Sequence, residues 1–103
     1  MIIYNVTCNV TKDVAEEWLS WMQEVHIPDV METGLFTKYR LVKVMHNQPG
    51  DEGFNYSIQY HTENEHKLNE YQTVHGPGLK QKTLEKYGEK VLAFRTLLEV
   101  IVD

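Results

Sequence analysis

Two short stretches share one outline: EVHIPDV (residues 24–30) and TVHGPGL (residues 73–79) each set a histidine two residues before a proline, at the end of an amphipathic run. Histidine titrates near neutral pH, so His26 and His75 are candidates to take and return a proton. Tyr71 precedes His75 by four residues, which puts both side chains on one helical face, where a phenol can orient a carbonyl beside a proton-transferring imidazole. The competing reading of both corners is structural. Proline stops a helix, His75 bonds a carbonyl of its last turn, and His26 is a satisfied histidine at the border of a core.

Other chemistries find less support. The five histidines (His26, His46, His61, His66 and His75) contain no H-x-H or H-E-x-x-H spacing, so no metal site is expected. Cys8 stands alone, which leaves no disulfide and no zinc-thiolate cluster; its strand position makes it an inert buried thiol. A lone thiol points to a reducing compartment, so a cytoplasmic location is expected. No G-x-S-x-G elbow and no phosphate-cradling glycine loop occurs. With 15 Asp+Glu against 10 Lys+Arg and a net charge of −5, no nucleic-acid partner is expected, since that needs a basic face. No apolar run approaches the roughly 18 residues that span a bilayer, and the N-terminal MIIYNVTCNV has no basic n-region and no small-residue cleavage site. It reads as a strand rather than as a leader.

The elements that must carry these residues follow from periodicity. Residues 2–10 alternate, with Tyr4, Val6, Cys8 and Val10 against Asn5, Thr7 and Asn9: a half-buried strand. Val14, Trp18, Trp21 and Val25 form one apolar stripe of a helix, and Ala15, Leu19, Met22 and His26 another beside it. Asp13 with Glu16, and Thr62 with Glu65, match capping boxes for the two helices. Pro28 is expected to end or kink the first helix, with PDVMETG restarting as a short turn. Strands follow at 36–45 and 54–62, joined through the turn-forming NQPGDEG; the second helix carries Leu68, Tyr71 and His75, and VLAFRTLLEVIV reads as a long final strand. At 103 residues, with 42% hydrophobic and 24% charged residues, this is one domain, 1–103. The order strand, helix, strand, strand, helix, strand is the split βαβ arrangement of an α+β ferredoxin-like sandwich: a four-stranded antiparallel sheet with both helices on one face.

The uncovered face defines a second expectation. The oilier register of each strand (Tyr4, Val6, Tyr56, Ile58, Tyr60, Phe94 and Leu98) is assigned to the helices, leaving Asn5, Thr7, Ser57, Gln59, Ala93, Arg95 and Leu97 outside. The side taken by Arg40 stays open. An arginine between alanine and leucine suits a face that is closed off yet satisfies polar groups. A homodimer through the open sheet face answers both needs, with Asn5, Gln59 and Arg95 fixing its register and the last strand extending into the partner.

MIIYNVT, WLSWMQEVHIPDV, YSIQY, YQTVHGPGL and AFRTLLEV together resemble an uncharacterised bacterial family of proteins of this length, known only as a domain of unknown function. More distantly the chain is similar to the dimeric α/β-barrel superfamily. That group includes stress-responsive barrel proteins, cofactor-independent quinol monooxygenases, muconolactone isomerases, haem-degrading monooxygenases and a polyketide cyclase. The resemblance implies a dimeric α/β barrel. Likeness to the cyclase implies His75 as general base and Tyr71 as the donor that orients a carbonyl. The haem-degrading branch uses a first-strand asparagine and a second-helix histidine, positions near Asn5 and His75, but its second-helix tryptophan has no counterpart, since Trp18 and Trp21 both lie in the first helix. No cofactor is therefore expected.

Two readings of function result. One is a non-catalytic binding or regulatory module. The other is a cofactor-independent enzyme of monooxygenase, isomerase or cyclase type, acting on a small aromatic or polyketide-like ligand. There His75 and His26 would be the acid/base groups, Tyr71 the orienting donor, and Trp18 and Trp21 the pocket wall. A cavity reaching both histidines would favour the enzyme.

Overall fold

A computed structural model of the chain describes residues 1–46 and 52–103. The elements are β1 (Ile2–Thr11), α1 (Ala15–Trp21), a first π-helical turn (Met22–His26), α2 (Ile27–Glu32), β2 (Lys38–Lys43), β3 (Gly53–Thr62), α3 (Glu65–Glu70), a second π-helical turn (Tyr71–His75), α4 (Gly76–Tyr87), a short 3-10 turn (Gly88–Lys90) and β4 (Val91–Glu99). The strands pair in the order β2-β3-β1-β4, with every neighbouring pair antiparallel. This is the ferredoxin-like βαββαβ fold. The turn expected from NQPGDEG falls largely on 47–51, outside the described residues.

The alternation of β1 and β3 behaves as their sequences require. Tyr4 pairs with Tyr60, Val6 with Ile58 and Cys8 with Tyr56, all turned toward the helices. Asn5, Thr7 and Asn9 take the open face with Gln59, Ser57 and Asn55, where Asn9 Nδ2 donates to Asn55 Oδ1 at 3.0 Å. The helices close over Trp18, Ile27, Ile58 and Val30, all 1% exposed or less. Each fully buried side chain of this kind stabilises the fold by about 1.5–3 kcal/mol.

Several expectations are corrected. On β4 the assignment of faces is inverted: Arg95 pairs with Val6 and Ala93 with Cys8, so Arg95, Ala93 and Leu97 share the helix side, while Phe94 and Leu98 stand on the open face opposite Thr7 and Ile3. Both registers of β4 are oily, so hydrophobicity does not distinguish them; the ladder with β1 does. Arg95 therefore fixes no register on the open sheet. Arg40, opposite Gln59, takes that face instead, together with Val42. Nor is β4 longer than its neighbours, spanning 9 residues against 10 in each of β1 and β3. Neither capping box forms. Asp13 is drawn to Lys90 and Thr11, leaving α1 without a side-chain cap, and Asn64 rather than Thr62 caps α3 by accepting from the Lys67 backbone N–H at 2.9 Å. Thr62 is buried instead, donating to the Leu35 carbonyl at 2.9 Å.

The prolines do not end their helices. At each corner one turn widens: the Ile27 N–H bonds the Met22 carbonyl and the Gly76 N–H bonds the Tyr71 carbonyl, both five residues back. A proline in a regular α-helix clashes with the carbonyl four residues earlier and offers it no proton. The wider turn just before Pro28 and Pro77 relieves both problems, and the helix resumes with the proline in its first turn. Burial records the inserted residue. The buried positions step 15, 18, 22, then 27 and 30 in one helix, and 68, 71, then 76 in the other. Val25, expected on the apolar stripe, is consequently 43% exposed.

Candidate functional site

Between the sheet and the α4 side of the molecule lies a cavity of about 250 Å³. Its floor is built by β1, β3, α1 and the two π turns: Tyr4, Ile58, Tyr60, Trp18, Met22 and Tyr71 line it and are all buried. Its mouth is built from exposed positions, Lys80 and Leu84 of α4 with Ala93 and Arg95 of β4. No Asp or Glu of the described residues lines it.

Of the residues singled out in the sequence, His26, Tyr71, Trp18 and Arg95 line this cavity. His75, Trp21, Asn5 and Gln59 are not among its lining residues. The His75 ring stacks on Tyr71 with centroids 6.4 Å apart. Trp21 packs against His26 (5.1 Å) and Tyr87 (5.6 Å), behind the wall rather than in it. Asn5 and Gln59 pair with each other on the opposite face of the sheet.

Electrostatics follow from burial. Removal from water pushes the His26 imidazole down to about 4; nearby Asp29 opposes this, while Arg95 and Lys82 add to it. His26 is therefore uncharged at neutral pH. Burial raises the Tyr60 and Tyr71 phenols well above their ordinary range, so both remain protonated donors. It pushes the Cys8 thiol up to about 11, with Arg95 pulling the other way, which keeps it a thiol. The charge at the cavity thus comes from Arg95 and Lys80. Arg95 Nε donates to the Tyr4 hydroxyl at 3.1 Å. The aromatic group around Tyr4 is tight: Phe36 lies 4.9 Å from Tyr71 and 5.2 Å from Tyr60, centroid to centroid. One buried donor in this wall is unsatisfied: Trp18 Nε1 has no partner among the described residues. The place of Trp18 on an apolar stripe points to the wall, whereas the bond from Arg95 to Tyr4 has no local signal, because only the ladder of β1 with β4 brings the two together.

No His/Cys/Asp/Glu group able to hold a metal occurs among the described residues, and no helix there is long and apolar enough to cross a membrane.

Over residues 1–101 the sequence matches the family model described as a domain of unknown function, DUF4286. The chain belongs to that family. No match is found among curated proteins. Solved structures similar to this DUF4286 chain share its fold at low identity. An ethyl tert-butyl ether d (EthD) family protein from Bacillus halodurans superposes with a TM-score of 0.73 at 11% identity, covering 98% of this chain and 100% of its own. A dimeric ferredoxin-like protein from an uncultured marine organism gives 0.73 at 13%, covering 99% and 95%. MhuD, in a structure with two manganese protoporphyrin IX molecules bound per active site, gives 0.69 at 15%, covering 100% and 97%.

Proposed function

We propose that this DUF4286 protein is a homodimeric, cytoplasmic small-molecule-binding module, one ligand per subunit, with a binding or regulatory rather than catalytic role. The observation that carries the reading is the cavity itself: an aromatic, buried floor beneath a mouth that bears a guanidinium. At about 250 Å³ it suits a ligand of one or two rings, smaller than the porphyrins bound by MhuD. Dimerisation is supported by the dimeric relative of the same fold and by the open sheet face, where Leu92 and Phe94 on one edge and Val42 on the other stand exposed around a polar centre. Asn5 Oδ1 in that centre has no partner within the described residues of one chain.

The binding reading is preferred over the enzyme because of His26. A base that titrates at about 4 is poorly matched to proton abstraction near pH 7. The cofactor-independent enzyme remains the second reading, favoured by one fact: His26 is neutral and lines the same cavity as the Tyr71 phenol, so an anion bound beside it would raise its basicity. His75 would then act only after a rearrangement of the second π turn.

The test is a thermal-shift screen of small aromatic acids, quinols and polyketide mimics against wild type and Ala93→Phe, which plugs the exposed mouth. Hits that vanish in Ala93→Phe, at an unchanged melting temperature, support the cavity as the site. Hits unaffected by the plug refute it. Light scattering of the wild type is expected to give twice the 12.1 kDa chain mass; a monomer would remove the dimer.

A further inference from the structure

The cavity carries a charge imbalance and an orphaned donor, and together they describe a ligand. Arg95 sits on the helix side of β4 with Val91, Ala93 and Leu97, at an exposed position on the rim of the cavity. Among the described residues it has no carboxylate partner, and its one hydrogen bond goes to the neutral Tyr4 hydroxyl. That bond uses Nε and leaves the terminal guanidinium nitrogens free, in the fork geometry that accepts a carboxylate. It also fixes the arm against a fully packed tyrosine, 2% exposed, so the guanidinium is preorganised rather than free to swing. Lys80 adds a second cation at the mouth, with no acid among the lining residues. Such a site in a chain of net charge −5 is a local reversal of the overall field.

At the floor, Trp18 is 0% exposed and its Nε1–H meets no acceptor among the described residues. A buried donor without a partner is costly to keep, and such groups are satisfied in the great majority of folded proteins. Around Trp18 the lining includes the apolar side chains of Met22, Ile58 and Leu79.

We propose that the cavity takes a small, flat monocarboxylate, aromatic or conjugated, with its carboxylate on Arg95 at the mouth and a carbonyl or similar acceptor oxygen at its inner end on Trp18 Nε1–H. This rests on the binding function argued above and names the ligand class for the same cavity.

Three probes of nearly equal shape separate its parts: 4-acetylbenzoate has both features, 4-ethylbenzoate lacks the acceptor, and 4-acetylbenzamide lacks the charge. Affinities are measured by calorimetry on the full-length protein, on Arg95→Gln and on Ala93→Phe. The acid with the acetyl group is expected to bind roughly tenfold or more tightly than the amide, a bidentate ion pair being replaced by a single hydrogen bond from the guanidinium to an uncharged carbonyl. Arg95→Gln should erase that difference, weakening the acid far more than the amide. Loss of the acetyl group should weaken binding several-fold, a comparison made on wild type alone and so independent of whether a Trp18→Phe core variant folds. Ala93→Phe should abolish all three. Equal affinity of acid and amide, or an acid that binds Arg95→Gln as well as wild type, overturns the carboxylate assignment while the amide's sensitivity to the plug preserves the cavity as a binding site. Equal affinity of the acetyl and ethyl acids overturns the Trp18 contact. Failure of all three, amide included, overturns the binding function along with its ligand.

Discussion

The two histidine–proline corners share a backbone device and differ in what it delivers to the cavity. Each ends a π turn with the histidine, and each turn begins with a residue that lines the cavity, Met22 in one and Tyr71 in the other. The divergence lies in the residue between histidine and proline. Ile27 is 1% exposed and packs into the core, and His26 faces the cavity. At the second corner that position is Gly76, where a Cβ would lie 3.3 Å from the Tyr71 carbonyl oxygen and 3.6 Å from its ring Cε2. Tyr71 therefore folds over its own corner, and His75 is left stacked outside. A repeated sequence outline thus fixed a backbone path; its neighbour decided which side chain reached the chemistry.

The largest effect that tests this contrast is at Ile27. Ile27→Ala removes buried volume that the rigid corner cannot refill, at a cost of about 3 kcal/mol. Val74→Ala, at a second-corner position 66% exposed, should stay within about 0.5 kcal/mol. Urea denaturation of the pair measures both. Similar losses would mean that the second corner is packed as deeply as the first.

Acid should test the burial of the first corner next. The folded state holds His26 at about 4, against about 6.5 when unfolded. Between those values the unfolded chain binds the extra proton, so stability is full above about pH 6.5 and falls as pH drops toward 4. The loss is about 3 kcal/mol. Desolvation shifts the half-exposed His61 in the same direction and adds a smaller part. His26→Gln should flatten most of this slope. A slope that survives His26→Gln would show that the first corner does not bury its imidazole.

How much of this was legible in the sequence depends on whether the deciding partner was local. The faces of β1 and β3 were readable because Tyr4, Tyr56 and Tyr60 alternate with Asn5, Ser57 and Gln59, so one register is clearly wetter. β4 offered no such contrast: Leu92, Phe94 and Leu98 are as oily as Val91, Ala93 and Leu97, and Arg95 reaches the helix side because the Tyr4 hydroxyl, 91 residues away, receives it. Asp13 failed as a cap for the same reason, since Lys90 claims it from 77 residues away. The π turns did leave a signal. A five-residue step between buried positions, Met22 to Ile27 and Tyr71 to Gly76, sits just before each proline. A reading that expects proline to stop a helix passes over it.

Gly76→Ala sharpens the contrast from the other side. Alanine would normally favour a helix by up to about 1 kcal/mol over glycine. Here the added methyl meets a backbone oxygen, and Tyr71 is held edge-on by Phe36 at 4.9 Å and by Tyr4 at 5.6 Å, so it has nowhere to move. Overpacking should win, with a net loss of about 1 kcal/mol and weaker binding of 4-acetylbenzoate, because Tyr71 lines the cavity. A stabilised variant with unchanged affinity would show that Tyr71 gives way freely.

The smallest expected effect is the one that bears most directly on catalysis. His75 is half-buried, stacks only loosely on Tyr71 at 6.4 Å and is not part of the cavity lining. His75→Ala should therefore change unfolding free energy by no more than about 0.5 kcal/mol and leave 4-acetylbenzoate affinity within error, whereas His26→Ala alters the cavity wall and should change that affinity. Equal responses at the two positions would bring the corners back into one functional pair. A ligand that binds normally to His75→Ala but is no longer turned over would restore His75 as the base, and with it the enzyme.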